Sequence, residues 1–245
     1  MTTPSDPIVI LGAKRTAIGG FQGQFASLSS PQLASAAIRA AVEQAGFSGD
    51  DIDEAIIGCV LPAGVGQAPA RQAVLGAGLP QSLPCTTVNK VCGSAMKATM
   101  LGYDQILAGS ANIVLTGGME SMTNAPYLLP KARGGYRLGH GQVFDHMFYD
   151  GLQNPYDNQL MGYFAEVCAE KYGFSREEQD AFAAAERRRI RRDCSDLVVG
   201  REHPDAAFSV PRDRSLAPES SKMRPRIARE KVLAQGRRGQ LFLER

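Results

Sequence analysis

The chain has 245 residues, is 44% hydrophobic and carries a formal net charge of +2. That composition belongs to a globular protein of one large or two small domains, and so small a net charge excludes a general attraction to nucleic acid or to an anionic membrane. Five cysteines, an odd number with no C-x-x-C pair, point away from a disulfide framework or zinc site and toward a reducing, cytoplasmic setting.

Met1–Asp6 is too short and polar for a signal peptide, and no run approaches the ~18 apolar residues that span a bilayer. Ile8–Leu11 reads as a short buried strand. Ser30 before Pro31 marks a helix start; Leu33, Ala37, Ala41 and Ala45 recur at spacing four, and Gly46 stops the helix. Glu54–Val60 is a second buried strand, Pro69–Leu75 a helix, and Thr86–Val91 a third strand. Gly93–Ala108 is a helix with small or apolar residues almost all round, a pattern that predicts burial between layers. Asn112–Thr116 is a fourth strand, broken by Gly117-Gly118. Strands alternating with helices predict a mostly parallel α/β sheet with sites at the carboxyl ends of its strands.

Asn124–Asn158 is long, rich in Gly, Pro and Tyr, and lacks periodicity, the signature of a functional or a disordered loop. His140 and His146 lie there and read as surface residues, since no partner stands at metal-ligand spacing. Phe164–Lys171 and Glu177–Arg192 read as helices, the second opened by a Ser175/Glu178 capping box. No metal site and no nucleotide fingerprint are legible.

Cys92 is the candidate nucleophile. It follows a strand and opens a helix, where free backbone N–H groups and the positive end of the dipole favour a thiolate. Asn89 reads as a hydrogen-bonding residue that supports this elbow, and Gly93-Ser94 as small residues that permit close approach. Lys97 reads as an ion-pairing structural residue rather than a base. On position alone, a buried structural cysteine is an equal alternative.

Further runs carry a specific likeness. Val88–Ala98 around Cys92, Arg15-Thr16, Ala70–Pro80, Gly117-Gly118-Met119-Glu120-Ser121-Met122, Leu160-Met161-Gly162 with Ala165-Glu166, and Tyr172–Asp180 together closely resemble the thiolases, the acetyl-CoA acyltransferase family. The likeness runs unbroken from about Pro7 to Glu186. The Gly117–Met122 run sets the chain apart from ketosynthases and hydroxymethylglutaryl-CoA synthases.

The resemblance implies an α/β, thiolase-like layered fold. Residues 1–122 form the N-terminal βαβ core with the nucleophile, and residues 123–186 a loop domain that covers coenzyme A and carries a tetramer-forming hairpin. Cys92 would take an acyl group from acetyl-CoA or a 3-ketoacyl-CoA as a thioester, with its backbone N–H lining an oxyanion hole. Leu152 and Met161 match positions near the pantetheine arm and acyl pocket, and core packing is an equal reading of both. The implied partners are acyl-CoA and CoA as substrates and a homodimer or homotetramer of the chain, with no cofactor, nucleic acid or membrane.

The family's second half carries a Gly-His-Pro motif, whose histidine is the general base, and a Cys-x-Gly motif, whose cysteine is an acid/base. Neither occurs in these 245 residues. Residues 187–245 hold 14 of the 20 arginines, so composition changes abruptly where the likeness ends. This tail reads as the product of a shifted reading frame, or as a disordered segment. The resemblance also implies a strand returning to the sheet after the loop domain; none is legible, which predicts an exposed sheet edge. Two functions stay open: thiolase-type acyl transfer, with this chain alone inactive, or a non-catalytic chain that binds acyl-CoA or pairs with a longer thiolase.

Overall fold

The computed structural model describes residues 8–195 and 241–242, with side chains through Arg187. A four-stranded sheet runs in the order β2-β1-β3-β6, from β1 (Glu54–Gly58), β2 (Cys85–Val88), β3 (Val114–Gly118) and β6 (Leu241–Phe242). All three pairings are parallel, with Gly58 opposite both Val88 and Gly118. Parallel strands need crossovers. Helix α2 (Pro69–Gly76) links β1 to β2, and α3 (Ser94–Ala108) links β2 to β3.

β1 and β3 are almost wholly buried because both faces of the sheet are covered there. On one side Ile38 and Ala41 of α1 (Ser30–Ala45) and Ala73 and Val74 of α2 join Ala55, Ile57 and Leu115 in the larger core. On the other, Ala98 and Ile106 of α3 pack with Ile56 and Val114. Local signals set the helix ends. Ser29, rather than Ser30, caps α1: its side chain accepts from Gln32 N, and its amide donates to Gln32 Oε1. Gly46 ends the helix with φ 72°, a backbone region open to glycine at no steric cost.

Three sequence expectations change. Ile8–Leu11 is not a strand; Ile10 forms only an isolated bridge and, like Val9, is solvent-exposed. A strand is fixed by its neighbour rather than by its own apolar residues. Second, β3 does not break at Gly117-Gly118 but runs through both. Third, the edge of β3 is not bare. Leu241 and Phe242 pair with Leu115 and Thr116, so a strand does return to the sheet, from within the arginine-rich segment. The rest of the tail reading falls on residues outside those described.

The long segment after β3 folds as a short antiparallel hairpin, β4 (Tyr127–Leu128) with β5 (Phe144–Asp145), followed by a π-helical turn over Met147–Leu152 and by α4 (Met161–Tyr172). Helix α5 (Arg176–Ser195) opens with the expected box: Ser175 N donates to Glu178 Oε2 at 2.8 Å and Glu178 N to Ser175 Oγ at 3.2 Å. It begins in the compact unit that holds the sheet, and a second unit begins at Phe182. No helix among the described residues is long and apolar enough to cross a membrane.

Candidate active site

Gly58, Val88 and Gly118 are the last residues of the three parallel strands β1, β2 and β3. The first turn of α3 rests directly on two of them. A β-carbon on Gly58 would stand 2.7 Å from Ser94 Cβ, and one on Gly118 would stand 2.7 Å from Ala95 Cβ. Only glycine permits this approach. The strand ends therefore act as a pedestal for the start of the helix.

Between β2 and α3 the chain turns sharply. Val91 has φ 48°, a left-handed conformation that is a strained outlier for a β-branched residue. Four hydrogen bonds hold it. Val91 N donates to Asn89 Oδ1 at 2.9 Å, and Ser94 N donates to Val91 O at 3.1 Å. Ser94 Oγ also donates to Val91 O, at 2.6 Å, and accepts from Lys90 N at 2.8 Å. Asn89 Nδ2 in turn donates to Val60 O at 3.3 Å, tying the elbow to the loop after β1. Cys92 emerges from this turn with its thiol side exposed. It lies one residue ahead of the N-cap, Gly93, rather than inside the first helical turn.

A small cleft beside Cys92 is lined by Gly58, Val60, Val91, Ser94, Ala95, Gly118, Met119 and Glu120. Glu120 fixes one wall: its carboxylate accepts from Val60 N at 2.8 Å and from Leu61 N at 3.0 Å. Charge-assisted bonds of this kind are roughly twice as strong as neutral ones. The same carboxylate lies 3.8 Å from Cys59 Sγ. Burial, with the Glu120 charge added, pushes the Cys59 thiol up to about 12. Burial also pushes Cys85 up, against the pull of Arg71. Cys59 is therefore a neutral thiol at ordinary pH, while Cys92 and Cys168 are exposed, and of these two Cys92 lines the cleft.

A strained turn that lifts a cysteine over the carboxyl ends of parallel strands, with a carboxylate-braced loop beside it, can be compared with known proteins. Residues 8–196 match the family described as thiolase, N-terminal domain. The chain belongs to the thiolase family. It is 51% identical to an acetyl-CoA acetyltransferase of Pseudomonas aeruginosa over 178 residues, 73% of this chain and 45% of that protein. An acetyl-CoA acetyltransferase of Schizosaccharomyces pombe is 50% identical over 74% of this chain and 46% of its own length. One from Allochromatium vinosum is 41% identical over 95% of this chain and 62% of its own length. The chain thus spans about half the length of these relatives.

Within this thiolase domain the other sequence candidates take distinct places. Leu152 closes the π-helical turn and is half-buried, while Met161 opens α4 and is exposed. An isolated antiparallel bridge joins Gln153 to Leu160, the chain neighbours of the two. Neither Leu152 nor Met161 lines the cleft at Cys92. Lys97 has no ion pair among the described residues. His140 is exposed as expected, but His146 is 4% exposed. Its Nε2 accepts from Ala63 N at 3.4 Å, which leaves Nδ1 to carry the proton toward Asp150 Oδ2 at 2.5 Å. The ring is buried because both nitrogens find partners, which spacing along the chain could not show.

The sequence shows Glu120 as part of the family run and not its bracing role, for which a lone carboxylate directly after a buried strand was the available signal. Ser94 reads there only as a small residue. No group of three or more potential metal ligands occurs among the described residues.

Proposed function

We propose that the cleft at Cys92 is an acyl-transfer site of the thiolase type. The Cys92 thiolate attacks the carbonyl carbon of acetyl-CoA or a 3-ketoacyl-CoA, a new carbon–sulfur bond forms, and the bond to CoA sulfur or to the substrate's α-carbon breaks. The acyl group then rests on Cys92 as a thioester, which stays reactive enough for the second transfer, to CoA or to a second acetyl-CoA. A leaving CoA thiolate or α-carbanion takes up one proton, and the second step returns it. The Cys92 amide, at the start of α3, forms one side of the oxyanion hole. One observation carries this reading: the strained Val91 turn presents an exposed cysteine above the strand ends, in a chain that is 50–51% identical to named acetyl-CoA acetyltransferases over 73–74% of its length.

The proton-transfer groups that the resemblance assigns to a Gly-His-Pro and a Cys-x-Gly motif are not in this sequence. We therefore propose that these 245 residues carry out the first half-reaction at most, and that acyl-CoA and CoA are their small-molecule partners. Intact-mass and peptide mass spectrometry after incubation with acetyl-CoA tests this. One added acetyl group on the peptide that contains Cys92, together with little turnover of acetoacetyl-CoA and CoA, is the expected result. An unmodified Cys92 with acetyl-CoA binding still measurable by titration calorimetry supports the non-catalytic reading instead, and full turnover overturns the half-reaction assignment.

A further inference from the structure

The loop between β1 and α2 walls the Cys92 cleft through Val60 and is pinned at its start, middle and end. At the start Glu120 accepts from the amides of Val60 and Leu61. At the end Gln72 Nε2 donates to Val65 O at 3.1 Å and to Gln67 O at 2.8 Å. In the middle the Ala63 amide donates to His146 Nε2 at 3.4 Å. The segment around His146 also supports the loop from below. His146 N donates to Pro126 O at 3.1 Å, and a β-carbon on Gly64 would stand 3.3 Å from Pro126 Cγ. Leu61 Cδ2 would stand 3.3 Å from a β-carbon on Gly151.

The loop is tied to the nucleophile as well. Val60 O accepts from Asn89 Nδ2, and Asn89 Oδ1 accepts from the amide of Val91, the left-handed residue that precedes Cys92. A change at Ala63 therefore reaches the elbow through Val60 and Asn89.

Of the pins, the middle one is inverted by a single proton. Gln72 does not titrate, and a protonated Glu120 would still offer an oxygen as acceptor. His146 has one acceptor nitrogen, because Asp150 holds the proton on Nδ1. A second proton, on Nε2, leaves the bond to Asp150 intact and sets an N–H against the Ala63 N–H, two donors face to face. The titratable groups of the surrounding elements are Asp145, Tyr149 and Asp150 on its own segment, Tyr127 on β4, and Cys59 and Glu120 at the base of the loop; residues 61–68 carry none. Asp145 Oδ1 already accepts from Met147 N at 2.8 Å.

We propose that His146 is a positioning residue for Cys92. Neutral, with its proton fixed by Asp150, it holds the loop in place beside the cleft, and a second proton releases it. The bracing follows from the contacts themselves; its effect on catalysis rests on the acyl-transfer reading of Cys92.

Amide exchange followed by NMR on the 245-residue protein tests this, with protection referred to the intrinsic rate at each pH. The His146 ring resonance, assigned by its loss in His146→Gln, reports the ring's charge across about pH 8 to 5. As His146 takes its second proton, protection of the Ala63 amide falls about three- to tenfold, and that of the Val91 amide falls with the same midpoint. His146→Gln places an uncharged oxygen near the Nε2 position and keeps both amides protected at every pH, whereas His146→Ala loses the Ala63 protection throughout. Acetylation of Cys92 by acetyl-CoA, taken as the ratio of parent to His146→Gln so that the thiolate fraction cancels, falls with that midpoint too. A His146 ring that does not titrate, or Ala63 and Val91 amides indifferent to its charge, overturns the proposal, as does an acetylation ratio that stays constant. Should His146→Ala fail to fold, the pH profile of the parent against His146→Gln decides alone. Cys92 left unacetylated in both proteins counts against the acyl-transfer reading and not against the bracing, which the two amides decide.

Discussion

Gly118 and Ala95 approach so closely that no side chain fits between them: a β-carbon placed on Gly118 would stand 2.7 Å from Ala95 Cβ. Since β3 is fixed in register between β1 and β6, this contact sets how near the nucleophile's helix comes to the sheet. Gly118→Ala is expected to push the first turn of α3 outward and to cost about 1–3 kcal/mol. Chemical denaturation measures the loss, and the rate of Cys92 alkylation shows whether the elbow moves with the helix. An unchanged midpoint means that the pedestal is not rigid.

Val91 should behave in the opposite sense. Its left-handed backbone costs about 1–3 kcal/mol, while a glycine there adds about 0.4–1 kcal/mol of unfolded-chain entropy. The first number exceeds the second, so Val91→Gly is expected to stabilise the fold by up to about 2 kcal/mol. Asn89→Ala, which removes the bonds to Val91 N and Val60 O, should destabilise it. A Val91→Gly protein less stable than the parent contradicts the strain.

Glu120→Gln keeps the shape of the brace and removes its charge. An amide has one oxygen to offer where the carboxylate has two, and both carboxylate oxygens accept an N–H. The expected cost is about 1.5–3 kcal/mol, the range for hydrogen bonds to a charged group. The same substitution lowers the pKa of Cys59, because the adjacent negative charge contributes to raising it. Alkylation of Cys59 against pH reports that shift.

Cys59 also predicts how stability responds to alkali. Its folded pKa lies near 12, above the value of about 8.5 for a free cysteine. Between those values the unfolded chain has lost the proton and the folded chain retains it, so stability falls as pH rises through the window. Cys59→Ala, compared with the parent by denaturation at several pH values, should remove that part of the slope. Equal slopes in the two proteins mean that Cys59 titrates normally.

The sequence determined much of this molecule by itself. Alternation of apolar runs and helical periods gives a parallel α/β sheet, because each strand buried on both faces must be apolar throughout. Gly46, and the Ser175/Glu178 pair, fix their helix ends by short-range bonds that any chain with those residues can form. The run around Cys92 and the Gly117–Met122 motif identify the thiolase family.

What the sequence left undecided are relationships between residues far apart. Ile8–Leu11 has strand composition but forms only the isolated bridge at Ile10. Leu241–Phe242 has a strand beside it and little composition to announce it. His146 is buried because Ala63 and Asp150 meet its ring, and Glu120 braces a loop about sixty positions away. The pedestal likewise exists only where strand ends from three separate segments come level. Local chemistry fixes turns, caps and periods, whereas burial, strain and the approach of one backbone to another depend on which surfaces meet, and only the assembled fold decides that.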